Sequence, residues 1–149
     1  MSKIRYLEEL NGIGGVLAHG TFDLLHIGHL RYFKEAARYG KLIVTMTAGV
    51  YIENHGPGRP VFTDEERIEM IDALEVVDYC SIVYEPTGEA AIRAVCPQFY
   101  CKGAETRREG NKQLDREINL VKYYGGEVIF IPKTLPYSSG KLLSGEMLK

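Results

Sequence analysis

Short apolar runs alternate with amphipathic stretches along most of the chain, and turn residues separate them. Residues 15–19 read as a short buried strand. Over 26–38, Ile27, Leu30, Phe33 and Ala37 fall on one helical face, and Gly40 ends that helix. Residues 41–47 (KLIVTMT) form a β-rich run, and Gly56-Pro57-Gly58-Arg59-Pro60 is loop. Thr63-Asp64-Glu65-Glu66 spells a capping box that opens a helix to residue 74. A strand follows at 80–84, a helix at 88–95 that stops before Pro97, and a fourth strand at 98–102. Leu114, Ile118 and Val121 set a helix closed by Gly125-Gly126. A fifth strand covers 127–131, and a short helix starts near Ser138 or Ser139. Near the start, Ile4, Leu7 and Leu10 recur at helical spacing.

Strands alternating with helices predict an α/β fold. The expected form is a Rossmann-like, doubly wound parallel sheet of five strands, with helices on both faces and right-handed crossovers. The 149 residues fit one domain, with 1–12 as an N-terminal extension. Ligands of such sheets bind beyond the carboxyl ends of the strands, near a topological switch point. Three segments fall at such ends: the 20–29 turn, Lys102-Gly103 and the 132–141 loop.

Composition removes several classes of function. The formal net charge of −2 gives no broad attraction to nucleic acid or an anionic membrane. No apolar run approaches the roughly 18 residues of a membrane span, and residues 1–10 lack the apolar core of a signal peptide. Cys80, Cys96 and Cys101 are odd in number and lie in apolar surroundings, which reads as buried, reduced cysteines of a cytoplasmic protein.

The chemistry concentrates in Gly20-Thr21-Phe22-Asp23-Leu24-Leu25-His26-Ile27-Gly28-His29. A strand that enters a small-residue turn and then a helix brings backbone N–H groups and the positive helix end together, which suits an anion. His26 and His29, at i and i+3, are expected on one helix face. The parts suit a polyphosphate and the charge that builds up on it. A closed zinc site takes about four ligands and a catalytic one about three. The histidine pair supplies two, and no C-x-x-C is present, so no protein-held metal is expected. Thr21 after Gly15 to Gly20 rules out a Walker P-loop, which needs Lys-Ser/Thr, and Gly12-Ile13-Gly14-Gly15 precedes the first strand and so misses the dinucleotide fingerprint.

With HIGH at 26–29, the chain resembles the HxGH nucleotidyltransferase superfamily, which includes glycerol-3-phosphate cytidylyltransferase and the adenylyltransferase domain of the bifunctional heptose-phosphate enzyme. The likeness runs from 16 to 143: GTFDLLHIGHL, GPGRPVF at 56–62, EER at 65–67, ALEVVD at 73–78, KG at 102–103, GGEV at 125–128 and YSSGKLL at 137–143. It implies transfer of a nucleotidyl group from ATP or CTP to a small sugar or polyol phosphate, with loss of pyrophosphate. His26 and His29 would donate hydrogen bonds to phosphate oxygens, and Gly28 would let the backbone approach. Gly20, Thr21, Phe22, Lys102 and Gly103 would line the nucleotide, and Ser138, Ser139 and the amides after them would hold the triphosphate. Mg²⁺ would bridge phosphates with few protein ligands. Asp23 would face the acceptor or orient the turn, and His55, Arg59 and Arg67 are further acceptor-side candidates. A homodimer is implied as well.

Bland readings stand beside several of these. Asp23 reads also as a helix cap, Ser138 and Ser139 as a cap, and Arg59 and His55 as loop residues. Arg67 reads also as the partner of neighbouring acids on an exposed helix face. The chain departs from its relatives at His55, where they often have Lys, at Gly49, where they often have Asp, and at Gly140, where they often have Ser or Thr. These changes spare the histidine pair and bear on the acceptor. They read first as a changed acceptor; the alternative, which His55 and Gly140 favour, is a nucleotide-binding protein without transferase activity, used for sensing or assembly.

Overall fold

The computed structural model describes residues 1–136 and 138–145. Five strands, β1 (Val16–Gly20), β2 (Leu42–Thr47), β3 (Tyr79–Val83), β4 (Phe99–Gly103) and β5 (Glu127–Ile131), form one parallel sheet in the order β3-β2-β1-β4-β5. The helices are α1 (Ile27–Ala36), α2 (Asp64–Asp72), α3 (Glu89–Val95), α4 (Lys112–Tyr123) and α5 (Ser139–Ser144). β1 lies at the centre. The chain winds outward from it to β2 and β3, then returns to β4 on the other side. The β1/β4 boundary is therefore the switch point where a ligand crevice opens.

Alternating residues of each strand feed two cores. Val16, Ala18, Val44 and Met46 pack with Phe33 of α1 and Ile68 and Ile71 of α2. Leu17, Ile43 and Tyr100 pack with Ala91, Ile92 and Val95 of α3 and Val121 of α4. β2 is buried along its whole length, as a central parallel strand covered on both faces must be. Among the described residues no helix is long and apolar enough to cross a membrane.

The expected elements form, with shifted ends. The first strand starts at Val16 because Gly15 adopts φ +74°, and a Cβ there would lie 2.8 Å from the Lys41 carbonyl oxygen. The capping box forms both its bonds: Glu66 N donates to Thr63 Oγ1 at 3.1 Å, and Thr63 N to Glu66 Oε1 at 3.0 Å. The start of α4 is set by Asn111, whose Oδ1 accepts from Leu114 N at 3.1 Å. The helical spacing over 1–10 is realised only as a 3₁₀ turn over Leu7–Leu10. Before it the chain runs along the sheet edge, where Arg5 N donates to the Cys80 carbonyl and Cys80 N to that of Lys3. Cys80 and Cys101 are buried and free. Cys96 is only half-buried, because it takes a left-handed conformation (φ +48°) at the end of α3.

Candidate active site

β1 ends at Gly20, and the next residues fold back over it. Phe22 takes φ +50°, and its ring lies so close that a Cβ on Gly20 would be 2.9 Å from Phe22 Cζ. The ring stands edge-on to His29 (centroids 5.4 Å, interplanar 89°) and packs on Phe33 at 5.1 Å. The turn thus fixes one face of the second histidine.

His26 is not on the helix face expected for it. Its backbone is extended (φ −142°, ψ 178°), and it serves as the N-cap of α1. Its Nδ1 accepts from Gly28 N at 3.0 Å, while His26 N donates to His29 Nδ1 at 3.1 Å. This is a capping box made of two imidazoles. It brings the rings to 3.9 Å between centroids. Because both Nδ1 atoms accept from backbone N–H groups, both protons sit on Nε2. Gly28 is required for a reason other than open approach: a Cβ there would meet His26 Cε1 at 2.8 Å and Nδ1 at 2.9 Å. Burial, then the neighbouring His26, pushes the His29 pKa down to about 3. Burial, then the charge of Lys133, holds His26 below the ordinary histidine value. Both rings are neutral N–H donors at pH 7.

Three of the acceptor-side candidates hold the turn rather than face a ligand. Asp23 is 1% exposed, and its carboxylate accepts from Val61 N at 2.9 Å, Phe62 N at 3.0 Å and Arg59 Nε at 3.0 Å. Arg59 Nη2 also donates to the Asp23 carbonyl. Burial raises the Asp23 pKa, but the two amides and the guanidinium outweigh it and leave the carboxyl below its usual range. Arg67 lies 2% exposed, not on an open helix face. Its Nη1 donates to the Thr21 and Thr47 carbonyls at 2.8 and 2.9 Å, and its Nη2 to Asp64 Oδ1 at 2.6 Å. The same Asp64 oxygen accepts from Gly49 N at 2.7 Å. A side chain at 49 would crowd Asp64 and Pro60, so this packing suits glycine. His55 is exposed, in a 3₁₀ turn over Glu53–His55, outside the cleft.

A cleft of about 290 Å³ opens at the switch point. Gly20, Thr21, Phe22, His26, Gly28 and His29 form one wall. Lys102 and Gly103 come from the end of β4, and Ser138 and Ser139 close the far side. Lys102 is half-buried, and its Nζ donates to the His19 carbonyl at 3.4 Å. Ser138 caps α5, its Oγ accepting from Lys141 N at 3.2 Å. The Ser139 hydroxyl is committed elsewhere: it donates to the Leu24 carbonyl at 2.7 Å and accepts from Leu24 N at 3.1 Å. Ser139 thereby straps α5 to the turn, and its hydroxyl is not the free phosphate donor expected. A Cβ added at Gly140 would meet none of the described residues within 4 Å, so a side chain there has room.

His19, Arg31, Glu105 and Thr106, which no motif singles out, also line the cleft, together with Lys133 and Thr134 of the 132–141 loop. Lys133 and Thr134 stand just after β5, at the carboxyl end of the strand where that loop is expected to meet a ligand. His19 is buried between Thr45 Oγ1 (2.8 Å) and Thr47 Oγ1 (3.1 Å), and burial, then Lys102, pushes its pKa down to about 3. Arg31, Lys102 and Lys133 against Glu105 leave the cleft positive. Among the described residues no cluster of three or more His, Cys, Asp or Glu could hold a metal ion.

The cytidylyltransferase-like family model matches residues 17–144. The bifunctional protein HldE of Trichlorobacter lovleyi is 35% identical over 134 residues, covering 89% of this chain and 26% of that protein. The HldE of Syntrophotalea carbinolica is 34% identical over 141 residues, covering 87% and 28%. The chain thus spans about a quarter of the length of these curated relatives. Among solved structures, the lipopolysaccharide core biosynthesis protein from Thermoplasma volcanium aligns with TM-score 0.66 at 26% identity, covering 85% of this chain and all of that one. Pantothenate synthetase from Thermus thermophilus aligns with TM-score 0.64 over 94% of this chain and 67% of its own, and at 16% identity it shares the fold.

Proposed function

The chain belongs to the cytidylyltransferase-like family, and from that premise we propose that it moves a nucleotidyl group from ATP or CTP to a small sugar or polyol phosphate. An oxygen of the acceptor phosphate attacks the α-phosphorus in line. The bond from that phosphorus to the bridging oxygen breaks, and pyrophosphate leaves with the electron pair. The attacking oxygen is already anionic, so the protein need supply no strong base. Its work is to position the reactants and to stabilise the charge that moves to the leaving group.

The observation that carries this reading is the imidazole pair. Two neutral rings, each with its proton fixed on Nε2, stand at 3.9 Å in a cleft that also holds Lys102 and Lys133. Such donors suit phosphate oxygens, and they are aligned before the substrate arrives. Mg²⁺ fits this site as part of the substrate: the lining offers mostly ammonium, imidazole and amide donors, which address phosphate rather than metal. The ion would neutralise part of the triphosphate charge. The cytoplasm and a homodimer are part of the same proposal.

One observation favours the second reading, a nucleotide-binding protein without transferase activity. Arg59 and Arg67 are consumed inside the fold, and His55 stands away from the cleft. The two readings separate in a pyrophosphate-release assay with Mg²⁺, ATP or CTP and a panel of sugar and polyol phosphates. Acceptor-dependent release supports the transferase. Saturable nucleotide binding with no release from any pair supports the alternative.

A further inference from the structure

On the α3/α4 side of the sheet lies a buried charge that the cleft chemistry above does not use. Glu117 of α4 is 1% exposed. Three donors converge on its carboxylate: the Tyr100 hydroxyl on Oε1 at 2.7 Å, and Gly88 N (3.1 Å) and Gln113 Nε2 (3.0 Å) on Oε2. Among the described residues it forms no ion pair. A buried carboxylate without a cation is costly to keep, and here the three hydrogen bonds offset that cost.

The ring of Tyr100 connects it to the cleft. Tyr100 is fully buried, and Lys102 Nζ lies 5.7 Å from its ring centroid, within cation–π range. Among the described residues, apart from that ring, Lys102 has one long hydrogen bond, 3.4 Å to the His19 carbonyl. The same aromatic ring thus takes an anion at its hydroxyl and a cation over its face. A phenol that donates to a carboxylate carries more electron density, which strengthens its hold on a cation. The packing leaves no slack: a Cβ on Gly88 would lie 2.7 Å from the Tyr100 hydroxyl and 3.1 Å from His19 Cδ2.

We propose that Glu117 is a positioning residue for Lys102: its buried carboxylate, acting through Tyr100, keeps the Lys102 ammonium charged and aimed into the cleft. The role rests on the reading above, in which Lys102 meets the nucleotide. The groups that face Lys102 are Glu117 from α4, the exposed Glu105 from the turn after β4, the Tyr100 ring and the neutral His19. Burial lowers the Lys102 pKa, and Glu117 first, then Glu105, oppose that fall.

The test is an NMR titration of the Lys102 side chain in the whole, ligand-free protein, the resonance assigned by its loss in Lys102→Arg. In Glu117→Gln the Lys102 pKa should fall by about one unit, and it should fall less in Glu105→Gln, whose carboxylate is screened by solvent. An unchanged Lys102 titration in Glu117→Gln overturns the proposal. Should Glu117→Gln not fold, the wild-type protein decides. The proposal requires Lys102 to be protonated at pH 8, and a neutral Lys102 there contradicts it. These readouts need no turnover, so failure of the transferase reading would leave them intact. With turnover, Glu117→Gln should raise the nucleotide KM about tenfold and move the alkaline limb of kcat/KM to lower pH.

Discussion

The backbone N–H of His26 donates to Nδ1 of His29 at 3.1 Å, so the second histidine of the motif caps the residue that carries the first. With the return bond from Gly28 N to His26 Nδ1, helix initiation and site assembly become one structure. The orphan donors of the helix start are satisfied by imidazoles, and the price is that neither ring can change tautomer without losing a cap.

Gly28→Ala should separate folding from function. Alanine is the better helix former by roughly 1 kcal/mol, but its Cβ would collide with the His26 ring at 2.8 Å. Thermal unfolding should stay close to that of the wild type while turnover falls about 100-fold. Steady-state kinetics beside a melting curve reads both, and wild-type turnover would show that His26 need not fold back over position 28.

Arg67→Met should act on both. It removes the donor that joins the Thr21 and Thr47 carbonyls and leaves Asp64 without its cation. A loss of about 3 kcal/mol in urea unfolding is expected, with a loosened turn and reduced kcat. By contrast, His55→Ala should leave kcat and KM within about twofold, because surface changes away from such networks have small effects. A large rise in acceptor KM in that variant would restore His55 to the acceptor site.

The fold itself is largely legible in the sequence because it is a matter of period and punctuation, which neighbouring residues carry. The capping box at Thr63 and the stop before Pro97 are local, and both form. The histidine turn is legible as a phosphate site, yet the place of His26 is not, because nothing in the spacing says which histidine caps the helix. Asp23 takes the turn-orienting role open to it, while Arg59 and Arg67 mislead for a different reason. Arg59 meets Asp23 36 residues away, and Arg67 reaches the Thr47 and Thr21 carbonyls 20 and 46 residues away; of these pairings only Asp64, three residues before Arg67, is local. Glu117 looks like one more charge on a helix until the fold sets it against Tyr100 and Gly88, 17 and 29 residues away.

Ser139→Ala should cut the strap to Leu24, whose N–H and carbonyl both use that hydroxyl. Stability should drop by about 1 kcal/mol, and the nucleotide KM should rise more than kcat falls, since α5 closes the cleft rather than touching the reacting atoms. A fall in kcat alone would place the hydroxyl on the reacting phosphates.

Acid should destabilise the fold through its histidines. His19 and His29 have pKa values near 3 in the folded chain, against an ordinary 6.5. The unfolded chain therefore binds more protons between those values, and stability rises with pH across that window. Urea midpoints measured from pH 7 down to pH 4 should fall steadily, and His19→Asn should flatten the slope. An unchanged slope in that variant would mean that His19 is not held neutral. By the same pKa values, neither His19 nor His29 should give kcat/KM of the free enzyme a limb between pH 6 and 8.

The central claim is that the two Nε2–H groups stabilise the charge released when a nucleotidyl group is transferred. The most direct measurement is single-turnover transfer of label from the α-phosphate of ATP or CTP to an acceptor phosphate, in the wild type and in His29→Ala. Label should appear in an acceptor-linked diphosphate at saturating nucleotide, and its rate should fall roughly 100-fold or more in the variant, with nucleotide affinity little changed. Transfer at the wild-type rate in His29→Ala, or tight nucleotide binding with no transfer to any acceptor, would contradict it.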